Sequence, residues 1–241
     1  KKLLTKYKID GYIIPKNDEY FNEYVVPSND RLKFVSNFSG SAGFAVILKN
    51  RNYLFVDGRY TTQARNQSGK KFKVFTIPDN FPRDVIKANK KITLGFDPKL
   101  HREKQLKFLF NIRNVKLLSI KENLVDKIWS SRTKNLTKPF FEISTKDAGA
   151  GSVEKISKVK NILLKNKIDY LLVTAPENVA WVLNIRGHDS SFSPIPNARL
   201  LINNKGEVIL FANPKKISKI KKIKIFFYNE KSIENILNGI S

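Results

Sequence analysis

Short, continuous apolar runs alternate with helix-spaced segments along this chain. The runs at 12–14 and 170–174 are strand-length and unbroken by polar residues, the pattern of strands covered on both faces of a sheet. Ile156, Val159, Leu163 and Leu164 fall on one face of a helix, with Gly151-Ser152 ahead of them as its start and N-cap. Residues 45–48 and 53–57 read as paired strands around a turn at 49–52. Residues 200–202 and 208–211 read the same way around Asn203-Asn204-Lys205-Gly206.

The pattern occurs twice. Lys6-Tyr7-Lys8-Ile9-Asp10 precedes the first apolar run as Lys165-Asn166-Lys167-Ile168-Asp169 precedes the second, at a constant offset of 159 residues. Phe38-Ser39-Gly40 leads into the first hairpin, and Ile185-Arg186-Gly187 leads into the second. Each copy reads as helix, buried strand, helix, hairpin, which predicts an α/β unit repeated once. The first copy carries extra material over 66–141, with a strand at 92–96 and a helix near 103–111. Between Arg132 and Ser152 the chain turns polar and Pro-broken, then small and flexible at Asp147-Ala148-Gly149-Ala150-Gly151. The expected organisation is therefore two α/β domains, 1–141 and 142–241, with a linker over about 133–152.

Composition narrows the function classes. With 45 Lys and Arg against 21 Asp and Glu the net charge is +24, the electrostatic footprint of a nucleic-acid binder. Yet Lys far outnumbers Arg, and the excess is spread over both halves. Specific nucleic-acid contacts lean on Arg. Nucleic-acid binding is the lesser reading, and a bias toward Lys, Ile and Asn the greater. The absence of cysteine removes disulfides and thiolate metal sites. No stretch approaches the apolar length of a membrane span or of a signal peptide's core, so a cytoplasmic protein without membrane contact is expected. The chain starts at Lys1 and contains no Met, and it reads as a piece of something longer.

Candidate chemistry is sparse. His101 and His188 lie in different predicted domains, and no spacing suggests a metal site or a catalytic triad, so neither catalytic nor metal-ligating residues are expected. Gly40-Ser41-Ala42-Gly43 lacks the nucleophile-elbow pattern and reads as a tight turn. Val56-Asp57-Gly58-Arg59-Tyr60 follows a predicted strand directly. Arg59 there can clamp a carboxylate or carbonyl, or it can pair with Asp57 as a purely structural element. His188 and Asp189 sit in a long loop with Pro194 and Pro196, as candidate substrate contacts or as satisfied interface residues. Residues 215–224, Lys interleaved with Ile, read as a strand with one solvated face; docking to RNA or a membrane surface is the sharper alternative.

Five words occur in order: Tyr24-Val25-Val26-Pro27, residues 34–43, Asp57-Gly58-Arg59-Tyr60, residues 121–129 and residues 177–187. Together they resemble aminopeptidase P, the three-domain branch of the creatinase/prolidase group, over nearly the whole chain. The resemblance implies two related creatinase N-terminal-type domains, each a mixed β-sheet flanked by helices. It also implies a C-terminal pita-bread catalytic domain, absent from residues 1–241, holding two divalent metals, usually manganese. That domain would remove the N-terminal residue of peptides with proline second. The N-terminal domains would serve dimerisation and restrict substrate access, with Arg59 reaching substrate in the neighbouring subunit's site. A non-catalytic protein- or nucleic-acid-binding module on the same fold is the alternative.

Overall fold

A computed structural model describes residues 1–133, 137–190, 192–218, 220, 226–229 and 232–240. The chain forms two compact units, Lys1–Lys134 and Asn135–Ser241.

In the first unit β1 (Gly11–Pro15), β2 (Gly43–Leu48), β3 (Asn52–Asp57), β4 (Lys73–Ile77), β5 (Ile92–Phe96) and β6 (Val115–Ser119) make one mixed sheet in the order β4-β3-β2-β1-β5-β6. β1, β2 and β3 pair antiparallel in sequence, while β3/β4, β1/β5 and β5/β6 are parallel. β1 is buried along its whole length, as its unbroken apolar run predicts. One face is covered by α1 (Lys2–Lys6), α2 (Arg31–Ser36) and α3 (Thr61–Ser68), which enclose Ile9, Tyr12, Leu32, Phe38 and Leu54. On the other face lie α4 (Pro82–Val85) and α5 (Glu103–Leu109), where Ile13, Val46 and Phe55 meet Leu106, Leu109 and Phe110.

The second unit repeats the first four strands of that design. β8 (Tyr170–Val173), β10 (Arg199–Asn203), β11 (Val208–Phe211) and β12 (Phe226–Tyr228) form a sheet in the order β12-β11-β10-β8, and β7 (Phe141–Glu142) pairs with β9 (Ile185–Arg186) beside it. β8/β10 and β10/β11 are antiparallel and β11/β12 is parallel, matching β1/β2, β2/β3 and β3/β4. α6 (Thr145–Ala148), α7 (Ser152–Lys165), α8 (Pro176–Leu183) and α9 (Ile233–Asn238) complete it. The core lies between α7, α8 and one sheet face, around Leu163, Val179, Leu183, Leu200, Ile202 and Leu210.

The repeat extends to hydrogen bonds. α1 closes with Ile9 N donating to Leu4 O and Lys8 N to Thr5 O. α7 closes with Ile168 N donating to Leu163 O and Lys167 N to Leu164 O. Both are Schellman motifs, with Lys8 (φ 53°) and Lys167 (φ 55°) in the left-handed region where glycine is usual. α2 and α8 likewise end on left-handed asparagines, Asn37 and Asn184, each followed by a fully buried residue, Phe38 or Ile185.

Four expectations are corrected. The β8 run is not covered on both faces: it is an edge strand, and Tyr170 and Leu171 are exposed. The segment expected as linker contains β7 and α6, and the units part at 134/135 rather than 141/142. Phe140 is fully buried among second-unit residues and Phe141 pairs with Arg186, so both are committed to that unit. The Lys/Ile run does not begin as a strand. Pro214–Lys216 is a 3-10 turn because Pro214 has no N–H to give a ladder, while residues 219 and 221–225 lie outside the described residues. The N-cap of α7 is Gly151 rather than Ser152.

Candidate functional site

The duplicated register places the candidate residues in corresponding corners of the two units. Following partners from β1 through β2 to β3, and from β8 through β10 to β11, puts Asn213 where Asp57 stands. Both residues cap a 3-10 turn at the strand end. Asp57 Oδ1 accepts from Arg59 N at 3.0 Å, and Asn213 Oδ1 accepts from Lys215 N at 3.0 Å. Arg59 therefore corresponds to Lys215, and Tyr60 to Lys216.

In the first unit this corner is open. Arg59 donates from Nε to Asp57 Oδ1 at 2.8 Å, and its side chain is 71% exposed. Its guanidinium carbon lies 5.3 Å from the Tyr60 ring centroid. The hydrogen bond from Arg59 holds the Asp57 carboxyl below the usual carboxylate range, and the same bond raises the Arg59 pKa. The pair and the free side chain thus coexist: Asp57 orients the stem while the Nη groups make no hydrogen bond to described residues. Tyr60 is fixed in turn. Its hydroxyl lies 2.8 Å from Ser41 Oγ, and its ring packs edge-on against Phe38. Residues 38–43 read as a tight turn, and the glycines there are required for close approach rather than for positive φ. A Cβ on Gly40 would fall 2.2 Å from the Phe38 ring, and one on Gly43 2.7 Å from the Phe55 carbonyl.

Beside this corner, at the carboxyl ends of β1, β3 and β4, a cavity of about 490 Å³ is lined by Pro15, Ser41, Phe44, Asp57, His101 and Phe110 among others. Crevices at such strand ends are where open α/β sheets bind ligands. Burial pushes the His101 imidazole down to about 4, only partly opposed by its hydrogen bond with the Ile13 backbone. Its Nε2 is buried with no partner among the described residues.

In the second unit the corresponding corner is closed. Lys216, at the Tyr60 position, reaches Asp189 Oδ1 at 2.5 Å, and Asp189 Oδ2 accepts from Asn197 N at 2.7 Å. Both side chains are largely buried, so Asp189 ties its loop to the turn. His188 is exposed, with its ring centroid 5.3 Å from that of Phe141, while the Asp189 oxygens are engaged elsewhere. Arg186 donates to the Ala180 and Ile185 carbonyls. Two buried polar clusters went unread in the sequence. Arg31, 2% exposed, donates to both Asp126 oxygens at 2.7 and 2.9 Å and to Glu19 at 2.7 Å. Lys155 donates to Asn184 Oδ1 and to the Trp181 carbonyl, and burial lowers its pKa. No local signal marked Arg31, since it opens a helix whose N-cap is Asp30 and whose first turn also carries Lys33.

Among the described residues no three His, Cys, Asp or Glu side chains come together as metal ligands. No helix among them is long and apolar enough to cross a membrane.

A twice-used mixed α/β unit with a capped Asp-Gly-Arg-Tyr turn defines the class. Residues 1–128 and 131–237 each match a creatinase/prolidase N-terminal domain model, and the chain belongs to that family, with two such domains. The chain is 32% identical over 228 residues to a probable Xaa-Pro aminopeptidase P of Coprinopsis cinerea, covering 90% of this chain and 36% of that protein. It is 30% identical over 220 residues to a Xaa-Pro aminopeptidase of Caenorhabditis elegans, covering 86% of this chain and 35% of the relative. The chain thus spans about a third of the length of the curated relatives it matches. The crystal structure of X-prolyl aminopeptidase from C. elegans, described as a cytosolic enzyme with a di-nuclear active site, superposes with a TM-score of 0.85 at 25% identity. That superposition covers 96% of this chain and 40% of the other.

Proposed function

We propose that residues 1–241 are the non-catalytic N-terminal region of a cytoplasmic, dinuclear-metal Xaa-Pro aminopeptidase, serving dimerisation and restriction of substrate access. The observation that carries this reading is Arg59: a cation oriented by Asp57, stacked near Tyr60 and left largely in solvent at a strand end. An arginine held at its stem and free at its tip suits a carboxylate or carbonyl approaching from outside its own unit. The relatives' names supply the reaction, and the di-nuclear centre of the C. elegans enzyme supplies the expectation of two metals, manganese in our reading. Peptides with proline second present a tertiary amide with no N–H and a fixed φ. Selection among them then rests on contacts to the rest of the peptide, the role assigned to Arg59 from the partner subunit. His188 is a secondary candidate of the same kind. Asp189, tied to Lys216, would act by holding the His188 loop rather than by touching substrate.

The test uses the parent polypeptide. Arg59→Ala is expected to lower kcat/KM for Xaa-Pro peptides by about 10- to 100-fold, the loss of one charge-assisted contact, with dimer and melting temperature unchanged. Activity equal to the parent would remove Arg59 from the site. Residues 1–241 alone are expected to be inactive with added manganese; metal-dependent turnover would overturn the non-catalytic reading.

A further inference from the structure

The cavity at the carboxyl ends of β1, β3 and β4 has a wall of rings that the Arg59 corner does not use. Phe44 stacks on Phe55 with ring centroids 5.0 Å apart and meets Phe110 edge-on at 6.0 Å. Two further lining residues, Phe81 and Phe108, meet edge-on at 5.7 Å, and the Arg83 guanidinium carbon lies 4.8 Å from each of their centroids. Phe108 is 54% exposed, so an aromatic face held in place by its neighbours stays in solvent at the edge of the cavity. A space of about 490 Å³ lies within the range of small-molecule pockets, which are mostly apolar with a few polar groups that fix orientation.

The polar groups in the wall define what such a ligand carries. Lys16 and Asp57, the charged lining residues, are already paired, Lys16 with Asp30 at 2.5 Å and Asp57 with Arg59 at 2.8 Å. A charged ligand would therefore find no unmatched charge there. His101 is different. Its hydrogen bond with the Ile13 backbone favours the protonated ring, so the imidazole is the donor in it. Nε2 has no partner among the described residues, which leaves Nδ1 to make that bond. Nε2 is then a bare lone pair in the wall, an acceptor that only an N–H or O–H can satisfy. Leaving a buried acceptor unmatched costs free energy, which a donor on a ligand recovers. Aromatic walls in turn favour a flat ring, which can stack on one face and meet another by its edge. We propose that this cavity binds a small, neutral heteroaromatic molecule, its ring packed against Phe44, Phe110 and Phe108 and its N–H or O–H donating to His101 Nε2. The inference concerns the first unit alone and does not rest on the peptidase reading.

Indole tests it, titrated into nitrogen-labelled residues 1–241 and followed by NMR, with N-methylindole as the same ring lacking its donor. Indole is expected to bind saturably, with a dissociation constant of about 1 mM or below. The shifts should centre on Ile13, Phe44 and Phe110, and the His101 Nε2 resonance should move as a lone pair does on accepting a hydrogen bond. N-methylindole should bind about 10-fold more weakly, the loss of one hydrogen bond. His101→Phe keeps a ring in the wall without the acceptor and should abolish that discrimination. Phe108→Ala, at an exposed position that the fold does not depend on, should weaken both ligands by about 3- to 10-fold. Equal affinity of the unsubstituted chain for indole and N-methylindole overturns the role given to His101. Shifts that never saturate, or that centre away from the cavity, overturn the site itself.

Discussion

Removing Asp126 should unfold the first unit far more readily than its distance from any candidate contact would suggest. Asp126 takes two hydrogen bonds from Arg31 and a third contact, at 2.8 Å, from Arg132 Nη1. Arg31 is almost fully buried, and although burial opposes its charge, Asp126 and Glu19 raise its pKa, so it cannot relieve the loss by giving up its proton. Asp126→Ala therefore leaves a buried guanidinium with Glu19 as its remaining carboxylate. Breaking a buried pair from one side costs about 3–5 kcal/mol. For a unit of this size that is a fall in melting temperature of roughly 10–15 °C. The assay is local. Trp129 stacks on Phe34 at 4.6 Å beside this cluster, and in a Trp181→Phe background it is the sole tryptophan, so its fluorescence in urea follows the first unit alone. Arg31→Met combined with Asp126→Leu should recover most of the loss, because two apolar side chains need no partner. Glu103→Ala, which removes the exposed Lys107 pair, should leave the midpoint unmoved. A cost for Asp126→Ala below about 1 kcal/mol would refute the claim that this cluster holds Arg31 in place.

Burial holds the His101 pKa at about 4 in the folded state, below its unfolded value. The folded protein therefore binds fewer protons between the two values. Stability from this group is complete above pH 6.5, the ordinary histidine value, and is lost as pH falls toward 4. Urea midpoints should show about 3 kcal/mol of acid loss from this source, absent in His101→Gln. Gly43→Ala drives a Cβ into the Phe55 backbone carbonyl and should destabilise the first unit by about 1–3 kcal/mol in the same titration. Lys8→Gly and Lys167→Gly relieve left-handed backbone and should each raise stability by up to about 1 kcal/mol; a drop in either melting temperature would show that the lysine stem contributes more than its φ costs.

The α/β class, the repeat and both hairpins were legible because each rests on local signals. Apolar runs mark strands, Asn-rich turns join them, and the Lys-Ile-Asp word recurs where the same helix cap is needed. Burial of β8 was misread for a reason that no periodicity reveals. A continuous apolar run reports what a strand is suited to pack against, and the neighbours that would cover it come from other parts of a chain. Arg31 was missed similarly, since its carboxylates sit at sequence separations of 12 and 95 residues. At the Arg59 turn the Asp57 pair is present, and pairing and availability were posed as alternatives. Asp57 binds Nε and leaves the tip of the fork to solvent, so both hold.

The same strand-end turn has diverged into two uses. In each unit a side-chain oxygen, on the last residue of β3 (Asp57) or two residues past β11 (Asn213), accepts the backbone N–H two residues on, which fixes where the next two side chains go. In the first unit those are Arg59 and Tyr60. Tyr60 anchors inward on Ser41 and Phe38, so the cation beside it remains available. In the second they are Lys215 and Lys216, and the second lysine turns inward to neutralise Asp189. A tyrosine at that place anchors by packing and one hydroxyl, leaving the local charge to Arg59 and Asp57. A lysine anchors by consuming a carboxylate, which converts the loop it touches into structure. Exchanging them tests whether the anchor decides the outcome: Tyr60→Lys should leave the first turn without its Phe38 and Ser41 contacts. On the proposed function it should also lower Xaa-Pro peptidase activity of the parent protein through KM, with Arg59 still present. If Tyr60→Lys instead leaves KM unchanged while Arg59→Ala raises it, the arginine works without its anchor, and Asp57 alone is sufficient to aim it.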